Sequence, residues 1–503
     1  MDQPVRFQPE PFRDLDLEPK RVRALVDAAG DLLQEYLERL PSLPVDRGRA
    51  AEEVRKRVAL DIPEEGLSDQ ELIDYLRTLV FDASMYTGHP GFLAYISGSG
   101  TTPGAVADLI AAGINQNVGG WRLGPGATEL ELHLTSWFAQ LFGLPEPAGG
   151  LVTSGGSMAN FVALKVARDR ALGLDTREKG IGQARLTAYT SREVHFATTR
   201  AADMLGLGSD SVRLIETDDQ FRLDVDAVVR RIEEDLSNNF TPFAVIATLG
   251  TVATGAIDPL EKIGEICRAN NLWMHVDAAY GGPAVLADDL RPLVAGVELA
   301  DSIAFDPHKW MYTPHSGGVV LLRDLQWLAD SFAAHATFVH EDKEFTGRGL
   351  DLGMMGPQLS RSFWALKIFV SLLAHGTKAY GRRISHDVKL ARYLADKVSE
   401  HDDFELMAPV ELSICCFRYV PPDLAPGRGR DEYLDALNER LMAKVQMDGR
   451  VFYSNAVINE RFVLRCCIVN FRTEAEHLDQ VVDVTRELGR QLDSEMRPAA
   501  LRT

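Results

Sequence analysis

The sequence predicts an α/β fold with a mostly parallel central sheet flanked by helices, an N-terminal helical segment and a smaller C-terminal α+β domain. Three observations support this prediction. The first 87 residues carry apolar positions at helical spacing, the middle alternates β-rich runs with amphipathic helices, and the pattern changes again after residue 376. The predicted units are residues 1–87, 88–375 and 376–503.

Two helices are predicted in the N-terminal segment. The stretch VRALVDAAGDLLQEYLERL has apolar residues at helical spacing, and the two prolines of LPSLPV (40–45) end it. The second helix, SDQELIDYLRTLVFDAS, begins with the capping-box pair Ser68 and Glu71. We therefore expect a helical, charged segment before the main domain.

The middle of the chain contains six runs that are typical of strands, with helical patterns such as DVDAVVRRIEEDL between most of them. The six runs span 186–191, 211–217, 243–250, 273–281, 301–305 and 317–323. This alternation predicts a mostly parallel sheet, in which ligands bind at the carboxyl ends of the strands.

The last part of the chain has a different pattern. A long helix over 377–400 is followed by strand-like runs, LSICCFRYV and RFVLRCCIVNF, and by a final helix over 474–492. This order predicts a small α+β domain.

Composition narrows the possible partners. The 503 residues are 46% hydrophobic and carry a formal net charge of −20, which argues against nucleic acid and anionic membrane surfaces. The N-terminus has no apolar secretory core, and no run of 18 apolar residues predicts a transmembrane helix. The cysteines lack CxxC spacing, so we expect reduced thiols, no metal site and a cytoplasmic protein. They are Cys267, Cys415, Cys416, Cys466 and Cys467.

A glycine-rich turn follows the β-like run LVT. In TSGGSMAN, Gly155, Gly156 and Ser157 stand where a helical pattern begins, so free backbone N–H groups could hold a phosphate. An ordinary strand–turn–helix connection with an N-cap serine is the alternative.

Two more polar residues follow predicted strands. His195, taken alone, is better explained as an ordinary core or surface histidine. Asp277 ends an apolar strand, where a carboxylate is costly to bury without a cation. It could cap the following turn, or it could pair with a protonated ring nitrogen.

Lys309 lies in DSIAFDPHKW, 32 positions after Asp277 and outside any run of charges. It could extend from a loop into solvent, or it could act as an amine nucleophile. A phosphate cradle, an imidazole that stacks on a ring, a carboxylate for a ring nitrogen and an amine are together the parts of a pyridoxal phosphate site.

Six motifs carry a resemblance to a known family. They are HPGFLAY (89–95), PGATELE (125–131), TSGGSMAN (153–160), ATLGT (247–251), HVDAAYGG (275–282) and DPHKW (306–310). In these motifs the chain resembles the group II amino-acid decarboxylases of the fold-type I pyridoxal-phosphate superfamily, which include aromatic-L-amino-acid, glutamate and histidine decarboxylases.

The resemblance implies an enzyme that decarboxylates an L-amino acid to its amine and carbon dioxide. It implies that Lys309 forms the internal aldimine, that Asp277 pairs with the pyridine nitrogen and that His195 stacks on the ring. The other implied cofactor-binding residues are Gly156, Ser157, Thr251, Ala279, Asp306 and His308. It also implies a homodimer with shared active sites, in which residues 1–87 clasp the partner.

Substrate recognition is less specific. The segments after Tyr95 and over INQNVGGW are more polar than in aromatic decarboxylases, so the side chain of the substrate stays open. The candidate substrate residues are Tyr95, Ile96, Gly98, Asn117, Trp121 and Arg361, with Arg465 as a second candidate carboxylate partner.

The reaction outcome also has alternatives. Family members carry a loop tyrosine that helps to protonate the substrate carbon, whereas residues 337–361 contain no tyrosine and offer His340 instead. Decarboxylation with oxidative deamination to an aldehyde is therefore one alternative. Another fold-type I reaction, such as transamination, and a non-catalytic protein of the same fold are the others.

Overall fold

Two β-sheets organise the chain. The computed structural model describes residues 15–333 and 349–502. The predicted α/β class is confirmed, because a large, mostly parallel sheet is followed by a smaller antiparallel sheet. His340 and most of the tyrosine-free segment lie outside the described residues. The domain boundaries at 87 and 375 stay predictions.

The large sheet has seven strands. They are β1 (Gly149–Thr153), β2 (Leu186–Ser191), β3 (Val212–Ile215), β4 (Thr241–Thr248), β5 (Trp273–Asp277), β6 (Ser302–Phe305) and β7 (Gly318–Leu322). Their order is β1-β7-β6-β5-β4-β2-β3. Only β7 has the opposite direction, so the other six strands all end at the same edge.

The small sheet lies near the C-terminus of the chain. Its strands are β8 (Phe404–Leu406), β9 (Ile414–Tyr419), β10 (Ser454–Ile458) and β11 (Arg461–Cys467). They pair antiparallel in the order β10-β11-β9-β8. Cys415 faces Cys466 across β9 and β11, and all five cysteines are buried and free.

Fifteen α-helices surround the two sheets in the described chain. They are Pro19–Arg39, Ala51–Val58, Asp69–Arg77, Thr102–Ile114, Pro125–Leu141, Gly156–Leu172, Thr176–Lys179, Ala197–Met204, Val225–Ser237, Leu260–Asn270, Gln326–Phe332, Trp364–His375, Thr377–Ser399, Arg430–Asp448 and Ala475–Met496. The predicted capping box is present, because the Ser68 hydroxyl accepts from the Glu71 N–H and the Glu71 carboxylate accepts from the Ser68 N–H.

Both faces of the large sheet are buried, which explains its apolar strands. Along β4, Ala244 and Ile246 pack with the helix Gly156–Leu172 on one face. Val245 and Ala247 pack with the helix Leu260–Asn270 on the other. This alternation fixes the register of the strand and therefore the position of the residues that follow its end.

In the part of the chain that the structure describes, no helix is long and apolar enough to span a membrane. Within the same residues, no group of three or more His, Cys, Asp and Glu side chains is placed to hold a metal ion.

Candidate active site

A cavity of about 380 Å³ lies where five strands of the large sheet end. Eight of the nine residues predicted to bind the cofactor line it: Gly156, Ser157, His195, Asp277, Ala279, Asp306, His308 and Lys309. The ninth, Thr251, is buried nearby, where its hydroxyl bonds to that of Thr254 at 3.0 Å and accepts from the Ala256 N–H. The cavity therefore brings together polar groups from five separate strand ends.

Lys309 is presented by a tight turn after β6. Its N–H donates to the Asp306 carbonyl at 2.9 Å, and its Nζ lies 3.1 Å from Asp306 Oδ2. The Lys309 side chain keeps 21% of its surface exposed, whereas that of Asp306 is 3% exposed. The amine is thus accessible from the cavity, and its ion-pair partner lies beneath it.

Asp277 is held in place by neutral donors. Its Oδ2 accepts from Asn160 Nδ2 at 3.1 Å, and its Oδ1 accepts from the Ala279 N–H at 3.1 Å. Within the described chain, no Lys, Arg or His nitrogen lies within 4.0 Å of this buried carboxylate. A buried carboxylate with only neutral donors is suited to receive a cationic group from a ligand.

A hydrogen-bonded line behind Asp277 fixes its orientation. Asn160 Oδ1 lies 2.7 Å from His275 Nε2, and His275 Nδ1 lies 2.8 Å from the Ser302 hydroxyl. Burial lowers the pKa of His275 to about 4, so this ring is neutral. The sequence interpretation missed these three residues, although a histidine inside the apolar run WMHVD was a signal.

His195 stands above the other groups on the turn after β2. Its Nδ1 accepts from the Ala197 N–H at 3.1 Å. Burial, together with the nearby Lys309 ammonium, lowers the pKa of His195, so the ring is neutral at pH 7. A neutral imidazole of this kind can lie on an electron-poor ring without charge repulsion.

The glycine-rich turn lies close to Asp306. The helix Gly156–Leu172 begins here, so its first N–H groups have no partner within the helix and can bind an anion. A Cβ on Gly156 would lie 2.7 Å from Asp306 Oδ2, too close for any larger side chain. Asp306 Oδ2 therefore lies between Gly156 of the glycine-rich turn and the Lys309 amine.

A second cavity of about 460 Å³ forms the mouth of the site and shares Ile96, His195 and Lys309 with the first. Buried Arg465 also lines it. Its Nη1 donates to the Tyr95 carbonyl at 2.9 Å and its Nε to the Ala253 carbonyl at 3.2 Å, while its Nη2 has no hydrogen-bond partner among the described residues. This Nη2 atom is itself buried, so it could bind a carboxylate only if the side chain turned toward the cavity.

The predicted substrate residues separate into two groups. Tyr95 and Ile96 line the mouth of the site. Gly98, Asn117, Trp121 and Arg361 do not line either cavity of the single chain. Arg361 is buried, forms an ion pair with Glu131 and donates to the Val152 carbonyl at 2.9 Å.

Comparison with known proteins gives a consistent result. Residues 52–420 match the model of the pyridoxal-dependent decarboxylase conserved domain. An aromatic-L-amino-acid decarboxylase of Bacillus atrophaeus is 33% identical over 95% of this chain and 98% of its own length. A phenylacetaldehyde synthase of Arabidopsis thaliana is 27% identical over 91% of this chain and 93% of its own length.

A solved structure extends the likeness to three dimensions. The crystal structure of Oryza sativa TDC with PLP and tryptamine superposes with a TM-score of 0.89 at 26% identity. The match covers 95% of this chain and 99% of that one. The fold-type I architecture and the pyridoxal 5'-phosphate (PLP) cofactor expected from the motifs are thereby confirmed.

The Gly156→Ala variant tests the close contact in the glycine-rich turn. The added methyl group must displace Asp306 or the turn, so we expect PLP to bind the apoenzyme at least about tenfold more weakly. The measurement is a PLP titration followed by absorbance. Gly66→Ala is the matched control, because nothing lies within 4 Å of its new Cβ. Wild-type affinity in Gly156→Ala would contradict the assignment.

Proposed function

The chain belongs to the family of pyridoxal-dependent decarboxylases, and from this premise we propose that it converts an L-amino acid to the corresponding amine and carbon dioxide. The observation that carries the proposal is that Lys309 and Asp277 line the same cavity at the strand ends. One supplies an amine, and the other supplies a buried carboxylate without a cationic partner among the described residues.

The residues present fit the cofactor. When bound, PLP supplies a conjugated ring that takes up the electron pair left by the departing carboxylate. Lys309 would anchor its aldehyde carbon, Asp277 would pair with its ring nitrogen and His195 would cover the ring. Gly156 and Ser157 would hold the phosphate, and Ala279 and His308 would border the ring, as would Asp306. Thr251 stays a predicted contact, because it does not line the cavity.

Two carboxylates of this site are placed to stabilise protons on neighbouring groups. Asp306, 3.1 Å from Lys309 Nζ, stabilises the protonated amine. Asp277, oriented by the Asn160 amide, would stabilise a proton on the ring nitrogen of a bound cofactor. The neutral ring of His195 can exclude water from one face of the substrate.

Arg465 is proposed as the partner of a substrate carboxylate. It is the buried arginine that lines the second cavity, and its buried Nη2 atom has no hydrogen-bond partner among the described residues, so a turn of the side chain would offer this nitrogen to a substrate. Arg361 and Glu131 instead satisfy each other's charge, so a role for Arg361 in substrate binding stays a prediction.

We also propose a homodimer. The helix Thr102–Ile114 exposes apolar side chains that are about half accessible in the single chain: Val106, Leu109, Ile110 and Ile114. A contiguous exposed apolar face of this kind is typical of a protein interface. Asn117 and Trp121 follow this helix and lie outside their own chain's cavity, which suits residues that complete the partner's site.

A second candidate reaction is decarboxylation with oxidative deamination. It is favoured by the absence of tyrosine from residues 337–361 and by the likeness to the Arabidopsis aldehyde synthase. In this reaction the amino acid, O₂ and water give the aldehyde, CO₂, ammonia and hydrogen peroxide. The two electrons of the broken Cα–carboxylate bond pass to O₂, which is reduced to peroxide, and water then displaces ammonia from the resulting imine carbon.

A cytoplasmic location is also proposed. Free, buried cysteines suit a reducing compartment. Fractionation of the source cells checks this proposal, and recovery of the protein only outside the cytoplasm would contradict it.

A panel of L-amino acids, assayed with and without oxygen, tests the proposed reaction. We expect CO₂ and the amine in equal amounts for at least one substrate, at the same rate in both atmospheres. Lys309→Ala should lower the rate at least about 1,000-fold, which excludes a contaminating enzyme. Stoichiometric peroxide and ammonia would support the aldehyde reaction instead. A keto acid as the sole product would indicate transamination.

The Arg465→Gln variant tests carboxylate recognition. We expect KM to rise at least about tenfold, because a charge-assisted contact is lost. Arg418→Gln is a matched control in the adjacent strand β9, because Arg418 is also buried but pairs with Glu405 away from the mouth. An unchanged KM in Arg465→Gln, at wild-type stability, would refute this role.

The Ile110→Asp variant tests the dimer. A charge on this apolar face should convert a species of twice 55.5 kDa into a monomer, as measured by light scattering, with loss of activity. Met447→Asp is the control, because Met447 is 73% exposed on the helix Arg430–Asp448. A wild type that is monomeric at assay concentrations would contradict the proposal.

A further inference from the structure

A buried carboxylate on a C-terminal helix contacts the catalytic turn from below. Asp387, in the helix Thr377–Ser399, is fully buried. Its Oδ2 accepts from Trp310 Nε1 at 2.9 Å and from the Tyr312 hydroxyl at 2.5 Å. These two residues lie on the C-terminal side of Lys309, so one oxygen atom holds the chain just after the catalytic amine.

The other oxygen of Asp387 is held equally firmly. Its Oδ1 accepts from Arg383 Nε at 2.8 Å and lies 2.7 Å from Arg383 Nη2. Arg383 also donates to the Thr473 carbonyl at 2.8 Å and pairs with Glu474. Arg383 therefore connects the Asp387 carboxylate to the segment around residues 473–474, which restrains the position of the carboxylate.

The turn needs such support. Tyr312 has a φ of 53°, a left-handed conformation that is unfavourable for a residue with a large side chain. Trp310 is fully buried and stacks on Tyr280 with ring centres 5.2 Å apart. The Lys309 amine pairs with Asp306, and the Lys309 N–H donates to the Asp306 carbonyl, so the conformation of this turn affects where both charged groups lie.

We propose that Asp387 is a positioning residue for the cofactor-binding lysine. It fixes Trp310 and Tyr312 and thereby fixes the direction in which Lys309 presents its amine to PLP. This role deepens the proposed function and rests on it. If Asp387 has this role, its replacement should slow PLP binding more than an equally destabilising substitution elsewhere in the chain.

The test compares Asp387→Asn with Asp493→Asn. Asp493 is a matched carboxylate: it accepts from the Tyr433 hydroxyl at 2.6 Å and from Arg497 Nε at 2.9 Å, and it is 8% exposed. It lies in the helix Ala475–Met496, away from the cavity. Both variants lose a charge that faces an arginine and a tyrosine, so both should melt at a lower temperature than the wild type.

Cofactor capture separates the two variants. PLP is added to each apoenzyme, and the rate of appearance of the protein-bound chromophore is recorded with its visible circular dichroism. Asp387→Asn should capture PLP at least tenfold more slowly and lose at least half of the dichroism per bound cofactor. Asp493→Asn should stay within twofold of the wild-type rate. Wild-type capture in Asp387→Asn, or equal slowing in both variants, would overturn the inference.

Milder variants cover the case in which Asp387→Asn does not fold. Tyr312→Phe removes only the hydroxyl that donates to Asp387, and Tyr433→Phe removes the matching donor to Asp493. Tyr312→Phe should slow capture at least threefold, whereas Tyr433→Phe should not. Equal behaviour of the pair would overturn the inference. A wild type that captures no PLP would refute the proposed function itself.

Discussion

The rest of the site depends on the electrostatic interaction of one amine, Lys309, with two carboxylates, Asp306 and Asp277, at the edge of the large sheet. Lys309 lies 3.1 Å from Asp306, while Asp277 faces the same cavity with only neutral donors around it. Burying a carboxylate without a cationic partner costs free energy, so a cationic group that binds beside Asp277 would be stabilised there. The glycine-rich turn, the ring of His195 and the line behind Asp277 all serve this arrangement. The protonated ring nitrogen of PLP is a group of this kind.

The arrangement depends on where the strands end. Because β7 alone has the opposite direction, the other six strands end at one edge, and residues at the ends of five of them line the cavity. The apolar faces of β4 fix its register against helices on both sides, and the polar residues after the strands follow from that register. A shift of β5 by one residue would point the Asp277 side chain to the opposite face of the sheet. The precision of the site is therefore a property of the sheet and of its covering helices.

The sequence predicted most of this edge because local patterns determine it. The run 186–191 coincides with β2, and the runs around 211–217 and 317–323 contain β3 and β7. The rule that ligands bind at strand ends brought Asp277 and Lys309 together. The antiparallel direction of β7 was not evident, because a short apolar run carries no sign of its direction.

The contacts that the sequence did not reveal join distant residues. Asp387 meets Trp310 from 77 positions away, and Asn160 meets His275 from 115. Arg361 pairs with buried Glu131 from 230 positions away, a contact that its sequence neighbours do not indicate. Such pairings depend on how helices dock, and no local pattern encodes them. Thr251 shows a contact of the local kind, because its hydroxyl bonds to that of Thr254 in its own turn, and its contact with the cofactor stays a prediction.

The most direct test of the central claim is to locate the cofactor on the chain. Holoenzyme is reduced with borohydride to fix PLP covalently, digested, and mapped by mass spectrometry. The structure predicts that the added mass lies on the peptide that contains Lys309, because its amine is the lysine nitrogen that lines the cavity among the described residues. Label on another lysine, or no label in protein that carries the PLP chromophore, would contradict the account.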